Sequence, residues 1–178
     1  WSEERASAVA GMLERVRRVP LDPARPEFTL ERVPSAQRLA EMEFHFPAGA
    51  LDAKRLVEVI RSKAGADISR PSGSKEIAAF LKGFIDLVFL YEGRYHIVDW
   101  KSNLIGSRPE EYTLAAMKEE IEANCYDLQY HLYTLALHKF LGRRLVDYKY
   151  ENHFGGVHYL FLRGIDPMHP ERGVFHAR

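Results

Sequence analysis

A chain of 178 residues with 46% hydrophobic content is long enough for one domain with a substantial core. Its 25 Lys and Arg offset 25 Asp and Glu, so the whole is not basic like a duplex-binding module, and nucleic-acid contact needs a local patch or neighbouring subunits. One cysteine, Cys125, excludes an internal disulfide, and no apolar run nears the roughly 20 residues of a membrane span, so a cytoplasmic setting without membrane contact is expected.

The chain opens at Trp1 rather than Met, directly into a helical pattern, and reads as a piece of a longer polypeptide: an N-terminal helix and loop over 1–40 and a core over 41–178. Residues 3–18 predict an amphipathic helix, with Ala8, Val9, Met12, Leu13 and Val16 as its apolar stripe. Pro20, Pro23 and Pro26 make 20–34 a loop. Residues 41–46 alternate, Met42, Phe44 and Phe46 against Glu41, Glu43 and His45, as a half-buried strand does. A helix over 51–63 and a polar loop over 64–76 follow. Phe80–Leu90 and Tyr95–Trp100 are two apolar runs joined by a tight turn at Glu92-Gly93, the pattern of a hairpin. Helices are expected near 114–123 and 126–141, the second ending at Gly142 with Leu128, Leu132, Leu135 and Ala136 as its stripe. Strands are expected at 145–150 and 157–163, with Gly155-Gly156 between them. The order predicts an α/β domain, a mixed central sheet flanked by helices.

The hairpin register carries the chemistry. With Glu92-Gly93 as the turn, Asp86 falls opposite Asp99, and Lys101 shares their side because strand side chains alternate. Two carboxylates opposed on an apolar sheet repel, and burial raises a carboxyl pKa. A hard divalent cation such as Mg²⁺ removes both difficulties, since it takes one or two carboxylates and leaves the other positions to water and phosphate. The plainer alternative is an ion pair between Asp99 and Lys101, with Asp86 capping a turn.

Gly83-Phe-Ile-Asp86, a hairpin, then Asp99-Trp-Lys101 resembles the G-x-x-D…D-x-K signature of the PD-(D/E)xK nuclease superfamily. Tyr126-Asp-Leu-Gln129-Tyr-His-Leu-Tyr133 resembles the Q-x-x-x-Y helix of its RecB branch. From about Glu41 onward the chain is similar to the C-terminal nuclease domain of RecB-type helicase–nuclease subunits. That resemblance implies a restriction-endonuclease-like fold and a Mg²⁺-dependent deoxyribonuclease, with Mn²⁺ or Ca²⁺ able to substitute in binding. It implies Asp86, Asp99 and the carbonyl of Trp100 as metal ligands and Lys101 as catalytic lysine. It also implies a first-strand acid, Glu41 or else Glu43. Gln129 and Tyr133, one helical turn apart, would contact DNA or support the lysine.

The family draws a further His ligand from an upstream helix, whereas no His precedes His45, so the ligand set within these residues is expected to be incomplete. His45 reads as an exposed strand residue and His153 as a structural one; the other histidines show no metal-ligand spacing. The implied partners are DNA ends, unwound by an attached helicase motor, together with RecC- and RecD-type subunits. ATP hydrolysis belongs to that motor, for the chain has no G-x-x-x-x-G-K-[ST]. The competing reading is a non-catalytic docking module that loads a RecA-type recombinase onto single-stranded DNA.

Overall fold

The computed structural model describes residues 2–47 and 80–178, so Trp1, the helix expected over 51–63 and the loop over 64–76 lie outside it. Helix α1 spans Glu3–Arg18. The Ser2 side chain accepts from the Arg5 N–H, with Glu3 and Glu4 in the first turn and Arg15, Arg17 and Arg18 in the last, matching the helix dipole. Its expected stripe does not form a core face: only Val16 is buried, while Leu13 stays 53% exposed. The core on this side comes from the segment that follows. Val19, Leu21, Phe28, Leu30 and Val33 are buried, and the isolated bridge Pro20↔Thr29 ties their loop.

Five strands form one sheet in chain order: β1 (Arg38–Pro47), β2 (Phe80–Tyr91), β3 (Arg94–Lys101), β4 (Phe154–Phe161) and β5 (Val174–Ala177). All neighbours are antiparallel except β3 and β4, so the sheet is mixed, as expected. Glu92 and Gly93 have φ of 48° and 77°, the left-handed pair a two-residue hairpin turn requires, and Tyr91 faces Arg94 in the expected register. The N-terminal segment packs on one face, against Leu87, Phe89, Val98 and Leu160. Helices α2 (Leu114–Ala123) and α3 (Tyr126–Arg144) cover the other.

Four expectations are corrected. Helix α3 runs through Gly142 to Arg144, because Leu145 N–H still reaches the Leu141 carbonyl and two arginines suit the C-terminal dipole. It buries Ala136, Leu137 and Leu141, leaving Leu128 and Leu132 only half-buried. Residues 145–150 are not a strand: the single turn α4 (Tyr150–His153) leads into β4, and Gly155-Gly156 lie inside that strand rather than before it. As a parallel partner of β3 covered on both faces, β4 is buried throughout, and its glycines make room for rings: a Cβ on Gly155 would lie 2.2 Å from His96. Strand β5 was not anticipated at all.

On the α1 face His96 and His158 are buried, with His96 Nδ1 3.1 Å from His158 Nε2. Desolvation, then the fields of His176, Arg25, Arg94 and Arg178, push His96 down to about 3. Desolvation likewise holds His158 well below the usual histidine range. Both are neutral in the folded chain and titrate near 6.5 once unfolded. Between those values the unfolded chain binds more protons, so stability is complete above about pH 6.5 and falls as the solution is acidified toward pH 3. Urea unfolding from pH 7 to 4 should show a loss of a few kcal/mol. The double variant His96→Gln, His158→Gln should show a much shallower loss; an equally steep one would assign the acid sensitivity elsewhere.

Candidate active site

The β2–β3 ladder ends at Leu87↔Val98, although β2 continues back to Phe80 alongside β1. The strands therefore fork beyond Leu87, and Asp86 and Asp99 stand at the fork. The side-chain alternation of β2 breaks at the same point. Ile85 packs on the α3 face and Leu87, two residues on, on the α1 face. Glu41, opposite Asp86 between the pairs Ala40↔Leu87 and Met42↔Ile85, has φ of 51°. A non-glycine residue held there stores backbone strain.

Asp86 Oδ2 accepts the Trp100 N–H at 2.9 Å. The N–H and C=O of one strand residue point to the same edge, so the Trp100 carbonyl also turns toward β2. Asp99 is 3% exposed. Burial pushes its carboxyl up, the Lys101 ammonium draws it down, and the Asp86 charge raises it again. Lys101 Nζ lies 2.6 Å from Asp99 Oδ2, a buried ion pair. The ammonium also donates to Gln129 Oε1, 2.7 Å away, and Gln129 Nε2 donates to Tyr133 Oη at 2.8 Å. Desolvation, followed by the charge of Asp99, pushes Tyr133 up to about 12.

The structure thus gathers Asp86, Asp99, Trp100, Lys101, Gln129 and Tyr133, with Glu41 in register opposite Asp86 but exposed and without a hydrogen bond or ion pair among the described residues. Glu43 turns outward, where Lys82 at 2.6 Å, ahead of His45, holds its carboxyl below the usual range. His45 is exposed, as expected. His153 bonds through Nδ1 to the Lys149 backbone, a structural role. Sequence reasoning missed the cradle of the lysine. Nζ sits 3.5 Å from the Tyr126 ring centre and 4.9 Å from that of Tyr159, whose hydroxyl donates to the Tyr126 carbonyl. The available signal was spacing, since Tyr126 precedes Gln129 by one helical turn.

Among the described residues no three His, Cys, Asp or Glu side chains gather as a ready metal cage. What is present still suits a hard divalent ion: two carboxylates, one of them buried, beside a strand carbonyl. Such an ion would relieve both the burial and the mutual repulsion of the pair.

A family model described as the PD-(D/E)XK nuclease superfamily matches residues 1–175, and the chain belongs to that superfamily. Its members typically use divalent metal ions. Among relatives, the RecBCD enzyme subunit RecB of Escherichia coli strain K12 is 46% identical over 155 residues, 84% of this chain and 13% of that protein. The RecB subunit of Buchnera aphidicola subsp. Schizaphis graminum is 42% identical over 78% of this chain and 12% of its own length. That of Mycolicibacterium smegmatis is 33% identical over 93% of this chain and 18% of its own. The chain is thus similar to a small part of much longer proteins. No helix among the described residues is long and apolar enough to cross a membrane.

Proposed function

We propose that residues 1–178 are the nuclease domain of a RecB-type helicase–nuclease subunit, hydrolysing phosphodiester bonds of DNA in double-strand break repair and the degradation of linear DNA. The observation that carries the reading is the pair of carboxylates in the strand fork, one of them buried and ion-paired with the Lys101 ammonium. Asp86, Asp99 and the Trp100 carbonyl would hold Mg²⁺, which when bound polarises a phosphoryl oxygen and lowers the pKa of water. Glu41 is the first-strand acid; its place opposite Asp86 favours it over Glu43. Lys101, held by Gln129 and the faces of Tyr126 and Tyr159, keeps a fixed positive charge for the phosphoryl oxygens and needs no reorganisation as charge develops there. Tyr133 acts through Gln129 as a support of that lysine.

The relatives' name, RecBCD enzyme subunit, supports RecC- and RecD-type partners, and the same reading extends to single-stranded DNA ends as substrate, a helicase motor on the same polypeptide, contact with a RecA-type recombinase and a cytoplasmic setting. The test is degradation of end-labelled linear single-stranded DNA with Mg²⁺ or Mn²⁺ against chelator. Cutting that requires the metal supports the nuclease. Neither cutting nor metal binding would leave the docking module as the better reading.

Support of the lysine has its own expected result. Gln129→Leu should lower cleavage by about 10- to 100-fold, the usual loss when a group orienting a metal-site residue is removed. Tyr133→Phe, which still leaves Gln129 on Lys101, should cost less than the Gln129 variant. Equal rates for all three proteins would remove Gln129 and Tyr133 from the site.

A further inference from the structure

On the α1 face, at the hairpin end of the sheet, a cavity of about 230 Å³ opens between the 22–28 loop, the start of β4 and Arg178. It is far smaller than a drug-sized pocket yet has room for several waters of ~30 Å³ each. Three guanidinium groups line it, those of Arg25, Arg94 and Arg178. Arg25 is matched by Glu92 at 2.7 Å and Glu27 at 3.5 Å. The other two are not matched. Arg94 Nη1 donates to the carbonyls of Glu151 (2.9 Å) and Phe154 (3.2 Å), and Arg178 Nη2 donates to the same Glu151 oxygen at 3.1 Å. Two like charges thus meet on one neutral oxygen, and no carboxylate pairs with either among the described residues. Two carboxylates also line the cavity: Glu92, paired with Arg25, and Asp22, which accepts the Ala24 N–H.

The inner wall is made of imidazoles. His96 and His158 are buried, and the ring of His158 stacks on that of His176, centroids 4.7 Å apart. Burial first, then the fields of His176 and the three arginines, keep His96 neutral at this wall. Gly155 completes the wall as the extra residue of a bulge. Tyr95 pairs with Phe154 and His96 with Gly156, which leaves Gly155 without a facing residue on β3. Two forked guanidinium groups without a carboxylate partner, set beside imidazole rings, make a donor-rich chamber that suits a phosphate group.

We propose that this cavity binds a phosphate group, held chiefly by Arg94 and Arg178. It is separate from the cutting site. His96 and Asp99 lie on opposite faces of the sheet, about 10 Å apart along β3 at ~3.3 Å per residue. The phosphate comes either from a DNA strand held beyond the cutting site or from the free anion.

The test is a titration of the chain, in phosphate-free buffer with chelator, followed by the imidazole resonances of His96 and His176. Three probes are used: inorganic phosphate, a short single-stranded oligonucleotide bearing a 5′-phosphate, and the same oligonucleotide without it. Saturable shifts with phosphate or the phosphorylated strand are expected, with affinity at least tenfold weaker in Arg94→Gln and in Arg178→Gln. Arg178 is exposed, so its variant should keep the parent's melting temperature. Tighter binding of the phosphorylated strand than of inorganic phosphate assigns the site to a DNA end, and equal binding assigns it to the free anion. No saturable shift with any probe, or affinities unchanged in both variants, overturns the proposal.

Discussion

Asp99→Ala is expected to reduce metal-dependent cleavage of linear single-stranded DNA by on the order of a thousandfold. No other carboxylate in the fork is as deeply buried, and the burial that raises its pKa also makes its charge most valuable to a cation. A second readout is independent of cutting. Mn²⁺ should raise the melting temperature of the parent chain, because a ligand of the folded state stabilises by mass action, and should leave that of the variant nearly unmoved. Removing Asp99 also strips a buried ammonium of its counter-charge, which by itself destabilises. The shape-matched Asp99→Asn also loses the charge but keeps the packed volume and a polar partner for Lys101, so cutting lost in a variant that still folds assigns the loss to the carboxylate. Cutting that persists in both variants would mean that the reaction is not performed in the strand fork.

The largest expected effect on stability is that of Gly156→Ala. Gly156 has φ of 127°, and an added Cβ would lie 2.2 Å from His176 Nε2 and 2.8 Å from the Ala177 carbonyl oxygen. The imidazole can swing away. The carbonyl cannot, because Ala177 is paired with Val157 in the β4–β5 ladder. Strain and overpacking together should cost roughly 3 kcal/mol or more, a large share of a typical domain's stability. Gly142→Ala is the opposite case. Its Cβ would meet only Tyr148, at 3.7 Å, in a helix interior, so a gain of up to about 1 kcal/mol is expected. Urea midpoints of the two variants check both signs, and a Gly156→Ala chain within 1 kcal/mol of the parent would show that the strand end yields easily.

These two glycines also show where sequence is a good guide and where it is not. The hairpin was legible because its turn chemistry is local: Glu92-Gly93 between apolar runs fixes the register as far as Leu87↔Val98, while the expected facing of Asp86 and Asp99 falls one pair beyond the ladder, where the strands fork. Gly142 and Gly155-Gly156 look like the same kind of punctuation, yet one continues a helix and the others make space inside a strand. That space exists for His96 and His176, which are distant in sequence. Parallel pairing of β3 with β4 depends on a crossover through two helices and leaves no local mark. The same distance hid the cluster of His96, His158 and His176, and the Tyr159 side of the lysine cradle. The stripe of α1 misled for a different reason: spacing tells which side chains share a face, not whether anything covers it.

Glu41 gives the left-handed backbone of β1 a meaning for anyone redesigning this domain. Glycine at that position would relax the strand and harden the fold, and a search guided by melting temperature alone would select it. The same exchange would delete the acid facing Asp86. With Glu41 as the proposed first-strand acid, robustness and reactivity pull in opposite directions at this one residue, so a thermostable descendant should be sought in the helices, with β1 left as it is.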